Sequence, residues 1–280
     1  MTRVLVTGAG GLVGRVLTAA LGSRAVAFRR EELDITDAAA VEQALDRHAP
    51  RAVINAAAFA AVDAAESDPT RAFAVNRDGP GLLAAATASR GIGLVHISTD
   101  YVFDGTSHTP YPEDATPSPI SAYGESKAAG EAAVLAAHPA AAVVRTSWVF
   151  SRHEGFARKM LQRAREETTV RMVADQMSCP TSARALARAL IVVADRDLRG
   201  VVHVCGWPAT TRHAWAQAIV DAGARAGLCP WVTIEPIEAA AFPSPARRPA
   251  QTVLGTSRAR GLGLPLASWL DELSPVRLPA

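Results

Sequence analysis

Residues 4–14 read Val4-Leu5-Val6-Thr7-Gly8-Ala9-Gly10-Gly11-Leu12-Val13-Gly14, and this stretch decides the fold. Four β-branched or aliphatic residues form a short buried strand, which ends directly in glycines spaced G-x-x-G-x-x-G at Gly8, Gly11 and Gly14. A helix follows over residues 11–21. Glycine at the tight turn lets the chain reverse, and a missing side chain lets the backbone approach a pyrophosphate. A third glycine lets helix and strand pack closely, with free N–H groups of the helix start facing the anion. The loop Gly8, Gly11, Leu12, Val13, Gly14 is therefore the expected cofactor cradle.

The same rhythm continues outward. Strands are expected at 25–28, 52–55, 94–98 and 142–146, with helices at 37–46, 71–90 and 122–137. Alternating strands and helices imply βαβ units and a parallel sheet, whose strands are apolar on both faces. After about residue 150 helices dominate (156–167, 182–195, 213–226), and the strands at 170–173, 201–205 and 232–235 look isolated. The expected fold class is α/β: a doubly wound parallel sheet of Rossmann type with a smaller, mostly helical C-terminal substrate lobe. The division expected is 1–150 for dinucleotide binding and 151–280 for substrate, with parts of 182–210 packing back on the first unit. Pro-rich segments occupy 242–249 and the tail from Pro275.

Composition narrows the class. The 280 residues are 49% hydrophobic and 20% charged, which supports a large core and excludes wholesale disorder. The net charge of +2 provides no electrostatic drive toward nucleic acid or an anionic membrane. Cys179, Cys205 and Cys229 are odd in number and scattered, so neither a disulfide framework nor a metal site is expected. No apolar run approaches a membrane span, and a cytoplasmic location is expected. Among the basic residues only Lys127 and Lys159 are lysines. Arginine is thus cheap in this chain, and a retained lysine carries more information.

The second strand ends Phe28-Arg29-Arg30, where the residue reading the ribose 2′ position is expected. Arg29 and Arg30 favour a 2′-phosphate and hence NADPH, with NADH the alternative because Glu31 and Glu32 follow. Asp34 and Ile35 are placed beside the adenine, and Ala56, Ala57 and Ala58 are small enough for a dinucleotide to lie against. Tyr123 and Lys127 are spaced Y-x-x-x-K, one helical turn apart. A cation there stabilises a phenolate and brings a phenol of pKa about 10 toward a useful range. Thr99, at the carboxyl end of the preceding strand, is expected to donate to a substrate carbonyl, with Ser98 the fallback. Tyr101 is read either as a substrate contact or as a core aromatic. His96 is read as a core histidine, and Lys159 as part of a solvated helix face.

Taken together these pieces resemble the extended short-chain dehydrogenase/reductases, and within them the dTDP-4-dehydrorhamnose reductase family. The resemblance runs over nearly the whole chain. Beyond the glycine loop and Tyr123–Lys127 it rests on residues 33–37, Asn55–Ala58, Asp63, Glu66 and Val75-Asn76. It continues through 98–105, Gly130-Glu131, Arg145–Phe150, Asp175-Gln176, Pro180-Thr181 and 243–249. It implies a Thr99/Tyr123/Lys127 catalytic triad and adds Asn76 to the cofactor residues. Asp100, Tyr101 and Trp148 would lie near the sugar, and Arg247 toward the nucleotide. The implied reaction is hydride transfer from NAD(P)H to the C4 ketone of a nucleotide-linked 4-keto-6-deoxysugar. The expected partner is thus a small molecule, a nucleotide sugar foremost, with a homodimer allowed and neither nucleic acid nor membrane.

Three departures from the family pattern fall on the substrate side. Gly155 in His153-Glu154-Gly155-Phe156 stands where the family has Asn. Ser178 replaces a glycine, and Phe242 replaces a tyrosine. They keep open a ketoreductase of the same mechanism on a different carbonyl. A dinucleotide-binding regulatory subunit without turnover is the third reading, and the intact triad argues against it.

Overall fold

The computed structural model describes residues 2–151 and 154–273; His153 and the tail from Pro275 lie outside the described residues. Six parallel strands form the central sheet: β1 (Val4–Thr7), β2 (Ala25–Phe28), β3 (Ala52–Asn55), β4 (Gly93–Thr99), β5 (Ala142–Thr146) and β10 (Gly200–His203). Their order is β2-β1-β3-β4-β5-β10, so the direction of winding reverses between β1 and β3. Ligands of such sheets bind in the crevice at the carboxyl ends of the strands flanking that switch. The glycine loop follows β1 and Asn55–Ala58 follow β3.

Alternation along the strands divides the core. Val4, Val6, Ile54, Val95 and Val144 face one side, where they pack with Leu17 of α1 (Leu12–Leu21) and Leu186, Leu190 and Val193 of α8 (Ala183–Asp195). Leu5, Val53, Leu94 and Val143 face the other side, against α2 (Ala38–His48), α5 (Gly79–Ala88) and α6 (Ala122–Ala137). Successive side chains of a strand point to opposite faces, so each strand needs apolar residues throughout. Each fully buried Leu, Ile or Val contributes roughly 1.5–3 kcal/mol relative to exposure.

The helix expected at 71–90 is interrupted. Short α3 (Val62–Ser67) and α4 (Pro69–Phe73) are followed by a π-turn at Ala74–Asp78 that leads into α5. Asp68 caps α4 by accepting from Arg71 N–H, with Pro69 at the first helical position. The π-turn sets Asn76 wholly inside.

Residues after 150 divide between two bodies. α8 and β10 join the sheet, while α7 (Gly155–Glu166) and α9 (Arg212–Arg225) surround a separate core of Phe150, Met160, Val170, Trp215, Ile219, Ile234 and Trp269. The strands expected to be isolated are not. β10 lies beside β5, and β7 (Thr169–Val173) pairs in parallel with β12 (Thr233–Ile237). These partners are distant in sequence, which is why local pattern left them alone. Two two-residue pairings complete the lobe, β6 (Val149–Phe150) with β9 (Thr181–Ser182) and β8 (Met177–Ser178) with β11 (Thr210–Thr211), while Gln251 forms a single bridge to Met177.

Candidate active site

The glycine loop is shaped by close approach. Gly8 has φ +68°, and a Cβ there would lie 2.6 Å from the Ala56 and Ala57 backbone; a Cβ on Gly14 would lie 2.2 Å from Gly8 O. Both positions therefore require glycine. Gly11 stands at the N-cap of α1 with no side-chain cap, which leaves helix N–H groups for an anion. Leu12 and Val13 are half-buried behind it, Ala56 and Ala57 are half-buried and Ala58 exposed across the crevice. This narrow, side-chain-free cradle fits a dinucleotide.

At the end of β2 the two arginines separate. The Arg29 stem runs beside Gly10, while Arg30 turns to Asp34, 3.6 Å away. Asp34 accepts from the Thr36 N–H and hydroxyl, and these bonds lower its pKa, with help from Arg30. Ile35 is buried under Gly79 rather than open to the crevice. The Asn76 side-chain carbonyl accepts from Phe59 N–H at 2.8 Å, and its NH2 donates to Phe59 O and Ser126 Oγ, both at 3.0 Å. Both polar atoms of that side chain are engaged in holding the loop after β3, so in this structure Asn76 acts through that loop.

Tyr123 sits in the first turn of α6, and that turn is held from two sides. Ser121 caps it by accepting from Gly124 N–H, and Glu66 of α3 accepts from Ala122 N–H at 2.9 Å. The half-buried phenol lies beside the Thr99 hydroxyl and edge-on to Tyr101, with ring centroids 5.8 Å apart. Burial raises the Tyr123 pKa above its ordinary value, while the Thr99 hydroxyl acts in the opposite sense. The expected lowering by a neighbouring cation is not what the structure shows. Lys127 Nζ turns to β4, donating to Ile97 O at 2.7 Å and lying 3.3 Å from His96 Nε2. Ser98, the fallback, is buried with no partner for its hydroxyl, and Thr99 alone of the two meets the tyrosine.

Asp100 joins the sheet to the lobe. Its carboxylate accepts from Thr99 Oγ1 at 3.1 Å, Ser178 Oγ at 2.9 Å and Thr252 Oγ1 at 2.5 Å. Desolvation raises its pKa; the three hydroxyls hold the charge against that. Ser178, a departure from the family pattern, therefore has a use: its hydroxyl serves Asp100. Gly155 opens α7 with φ +63°, and a Cβ there would meet nothing within 4 Å. Phe242 is exposed.

Sequence reading missed most of the lobe's contribution. Trp148, at φ +41°, stacks near Trp215, and the Arg212 guanidinium lies 4.0 Å from the Trp148 ring centre. Arg212 is half-buried, and desolvation lowers its pKa against the pull of Tyr101 and Asp100. Arg247 is exposed, whereas Arg248 turns inward on the side of Tyr101 and pairs with Asp63 at 2.8 Å. Of the two, Arg248 is the one held against the protein by a side-chain partner. Adjacent residues of an extended segment point opposite ways, and the Arg-Arg pair alone does not say which faces in. Asp63 also accepts from Ser244 Oγ and Ala246 N–H; with Arg248 these hold its pKa down at about 2. Among the described residues there is no His/Cys/Asp/Glu group suited to a metal ion, and no helix is long and apolar enough to cross a membrane.

A Rossmann-type sheet, a dinucleotide cradle at its switch point, and a Thr–Tyr–Lys set on the next strand and helix define a short-chain dehydrogenase/reductase. Comparison with known proteins narrows the class. The RmlD substrate binding domain family matches residues 1–276. The chain is 38% identical to a dTDP-4-dehydrorhamnose reductase of Sinorhizobium fredii (strain NBRC 101917 / NGR234), covering 96% of this chain and 95% of that one. It is 41% identical to a probable dTDP-4,6-dihydroxy-2-methyloxan-3-one 4-ketoreductase of Streptomyces antibioticus, over 97% and 93%. Among solved structures, a dTDP-4-dehydrorhamnose reductase from Bacillus anthracis str. Ames in complex with NADP superimposes with TM-score 0.91 at 32% identity, over 98% of each chain. This chain belongs to the dTDP-4-dehydrorhamnose reductase family.

Proposed function

We propose that this protein is an NAD(P)H-dependent oxidoreductase that reduces the C4 ketone of a nucleotide-linked 4-keto-6-deoxysugar, in the manner of its dTDP-4-dehydrorhamnose reductase relatives. The observation that carries the reading is the Thr99–Tyr123 contact, Thr99 buried and Tyr123 half-buried. It lies at the carboxyl end of β4, between the glycine cradle and the Arg212–Trp148–Arg248 face of the lobe. NADPH is the cofactor favoured, with Gly8, Gly11 and Gly14 cradling its pyrophosphate and Arg29 nearest its 2′-phosphate; bound there it supplies the hydride.

The chain's own groups do the rest. Tyr123 gives its phenolic proton to the ketone oxygen as the carbonyl carbon is reduced, and the high pKa imposed by burial keeps that proton in place beforehand. Thr99 is to hold the oxygen from the other side by turning its one hydroxyl proton to it from Asp100, on which that proton rests here. Tyr101 and Trp148 line the sugar, and Arg212 and Arg248 offer two cations to a diphosphate. The residues after 150 other than α8 and β10 are the proposed substrate side. The reaction is placed in the cytoplasm, with neither nucleic acid nor membrane as partner and a homodimer as the assembly to look for.

The Streptomyces antibioticus relative favours one second reading, a 4-ketoreductase of the same mechanism on another dTDP-linked ketosugar. Both are tested by incubating the protein with NADPH and dTDP-4-dehydro-L-rhamnose, then with other nucleotide-linked 4-ketosugars, while following absorbance of the reduced cofactor. Turnover on the first substrate that Tyr123→Phe lowers at least a thousandfold supports the first reading. Turnover only on another ketosugar supports the second. NADPH binding without turnover on any would leave a regulatory subunit.

A further inference from the structure

Behind Tyr123 a line of buried polar groups runs through the sheet, and it determines a proton position. Asn55 Oδ1 accepts from the Ala57 backbone N–H at 3.1 Å and from the Thr7 hydroxyl at 2.6 Å. A backbone N–H can only donate, so this atom of Asn55 is its carbonyl oxygen and the other is its NH2 group. The NH2 group lies 3.1 Å from His96 Nδ1, which therefore accepts and holds no proton. His96 is fully buried, and desolvation above all keeps its pKa well below the ordinary value, so the ring is neutral. Its single ring proton is then on Nε2. That nitrogen lies 3.3 Å from Lys127 Nζ.

An ammonium has donors only, so facing Nε2–H it sets donor against donor. A neutral amine has a lone pair that accepts from Nε2–H, while its own N–H still donates to Ile97 O. Resting on the reading of Tyr123 and Lys127 as the proton-handling pair, we propose that His96, locked by Asn55 as the Nε2–H tautomer, is a positioning residue that biases Lys127 toward its neutral amine. The proton Lys127 gives up goes to solvent and returns from it; no other reactant is needed.

The surroundings agree with this bias. Desolvation lowers the Lys127 pKa to about 8, against Glu131, which raises it. Glu131 lies one turn along α6 and is itself clamped by Arg145 of β5. Tyr123 shares the helix, and Asp100 follows β4. From β1 and β3 the line presents only the neutral Thr7 and Asn55. A lysine titrating near working pH takes up and releases a proton readily, where one at its ordinary value would not.

The chain holds two lysines, which makes the test direct. Lysine labelled with 13C at Cε produces two resonances, and Lys159→Arg assigns them; Lys159 is exposed on α7. Ring 15N shifts of His96 are expected to show Nε2–H in the wild type, with Lys127 titrating near pH 8. His96→Gln, whose side-chain carbonyl can face Nζ, is expected to raise the Lys127 titration by at least one pH unit, a tenfold change in proton affinity. The matching limb of the pH–rate profile should move with it. An Nδ1–H tautomer in the wild type, or an unmoved Lys127 in folded His96→Gln, overturns the proposal. Should His96→Gln fail to fold, the wild-type ring nitrogens decide alone. These readings need no turnover, so absence of activity on every ketosugar would refute the proposed function and leave this result standing.

Discussion

Glu131→Gln is expected to cost about 3–5 kcal/mol of folding stability. Glu131 and Arg145 are almost fully buried, and the carboxylate accepts from the guanidinium at 2.7, 2.9 and 3.1 Å. Gln keeps the shape but removes the charge and turns an NH2 group toward guanidinium donors. Arg145 then holds an uncompensated buried charge, faced only by neutral acceptors such as the Gln side-chain carbonyl and the Glu113 carbonyl at 3.3 Å. Breaking such a pair by removing one partner costs about 3–5 kcal/mol. Unfolding entropy of about 2.1 cal/mol/K per residue amounts to about 0.6 kcal/mol/K for this chain, so Tm should fall by about 5–8 °C. The control is Glu167→Gln, whose partner Arg163 is four residues away in a solvent-screened pair, so its midpoint should stay within about 1 °C of the wild type. The two variants and the wild type are compared by calorimetry at one scan rate. A Glu131→Gln midpoint within 1 °C of Glu167→Gln would refute the reasoning.

Gly14→Ala would drive a methyl to within 2.2 Å of Gly8 O; it should destabilise the protein by about 1–3 kcal/mol and abolish NADPH binding, read by melting and by cofactor fluorescence. Arg248→Ala should raise the KM for the nucleotide sugar at least tenfold, while Arg247→Ala changes it less than twofold; equal effects would contradict the inward turn of Arg248. Arg29→Ala should raise the KM for NADPH more than that for NADH, and an equal rise would remove the 2′-phosphate role. Stability should fall in mild acid. Burial and Arg145 lower the His203 pKa to about 3, and His96 is also lowered well below 6.5. Both are neutral in the fold and bind protons near pH 6.5 when unfolded. Their contribution is complete above that value and is lost as pH falls toward the folded values. Between about pH 7.5 and 5.5 each should remove about 1.4 kcal/mol, visible in urea midpoints; a flat profile would contradict their burial as neutral rings.

Local sequence made the cofactor half of the site legible. Val4–Thr7 and the glycines that follow are adjacent in the chain, and their chemistry is that of adjacent atoms. Tyr123 and Lys127 share a helix face by spacing alone. The lobe was less legible because its contacts join distant segments. Arg248 meets Asp63 and Tyr101, and Ser178 and Thr252 meet Asp100. Asn76 entered through the family resemblance, and its three bonds to Phe59 and Ser126 are visible only in the fold.

By itself the sequence determined the strand–loop–helix that receives a dinucleotide and the residue types that can move a proton, since both follow from period, spacing and side-chain chemistry. Only the tertiary structure decided where those protons rest. Lys127 was expected to face its tyrosine, and it turns instead to Ile97 O and His96 because β4 brings both beneath α6. His96, read as a bystander of the core, gains its tautomer from an asparagine on the next strand. The reason is physical: a hydrogen bond depends on direction and distance in space, and no pattern along the chain encodes which buried donor will meet which acceptor.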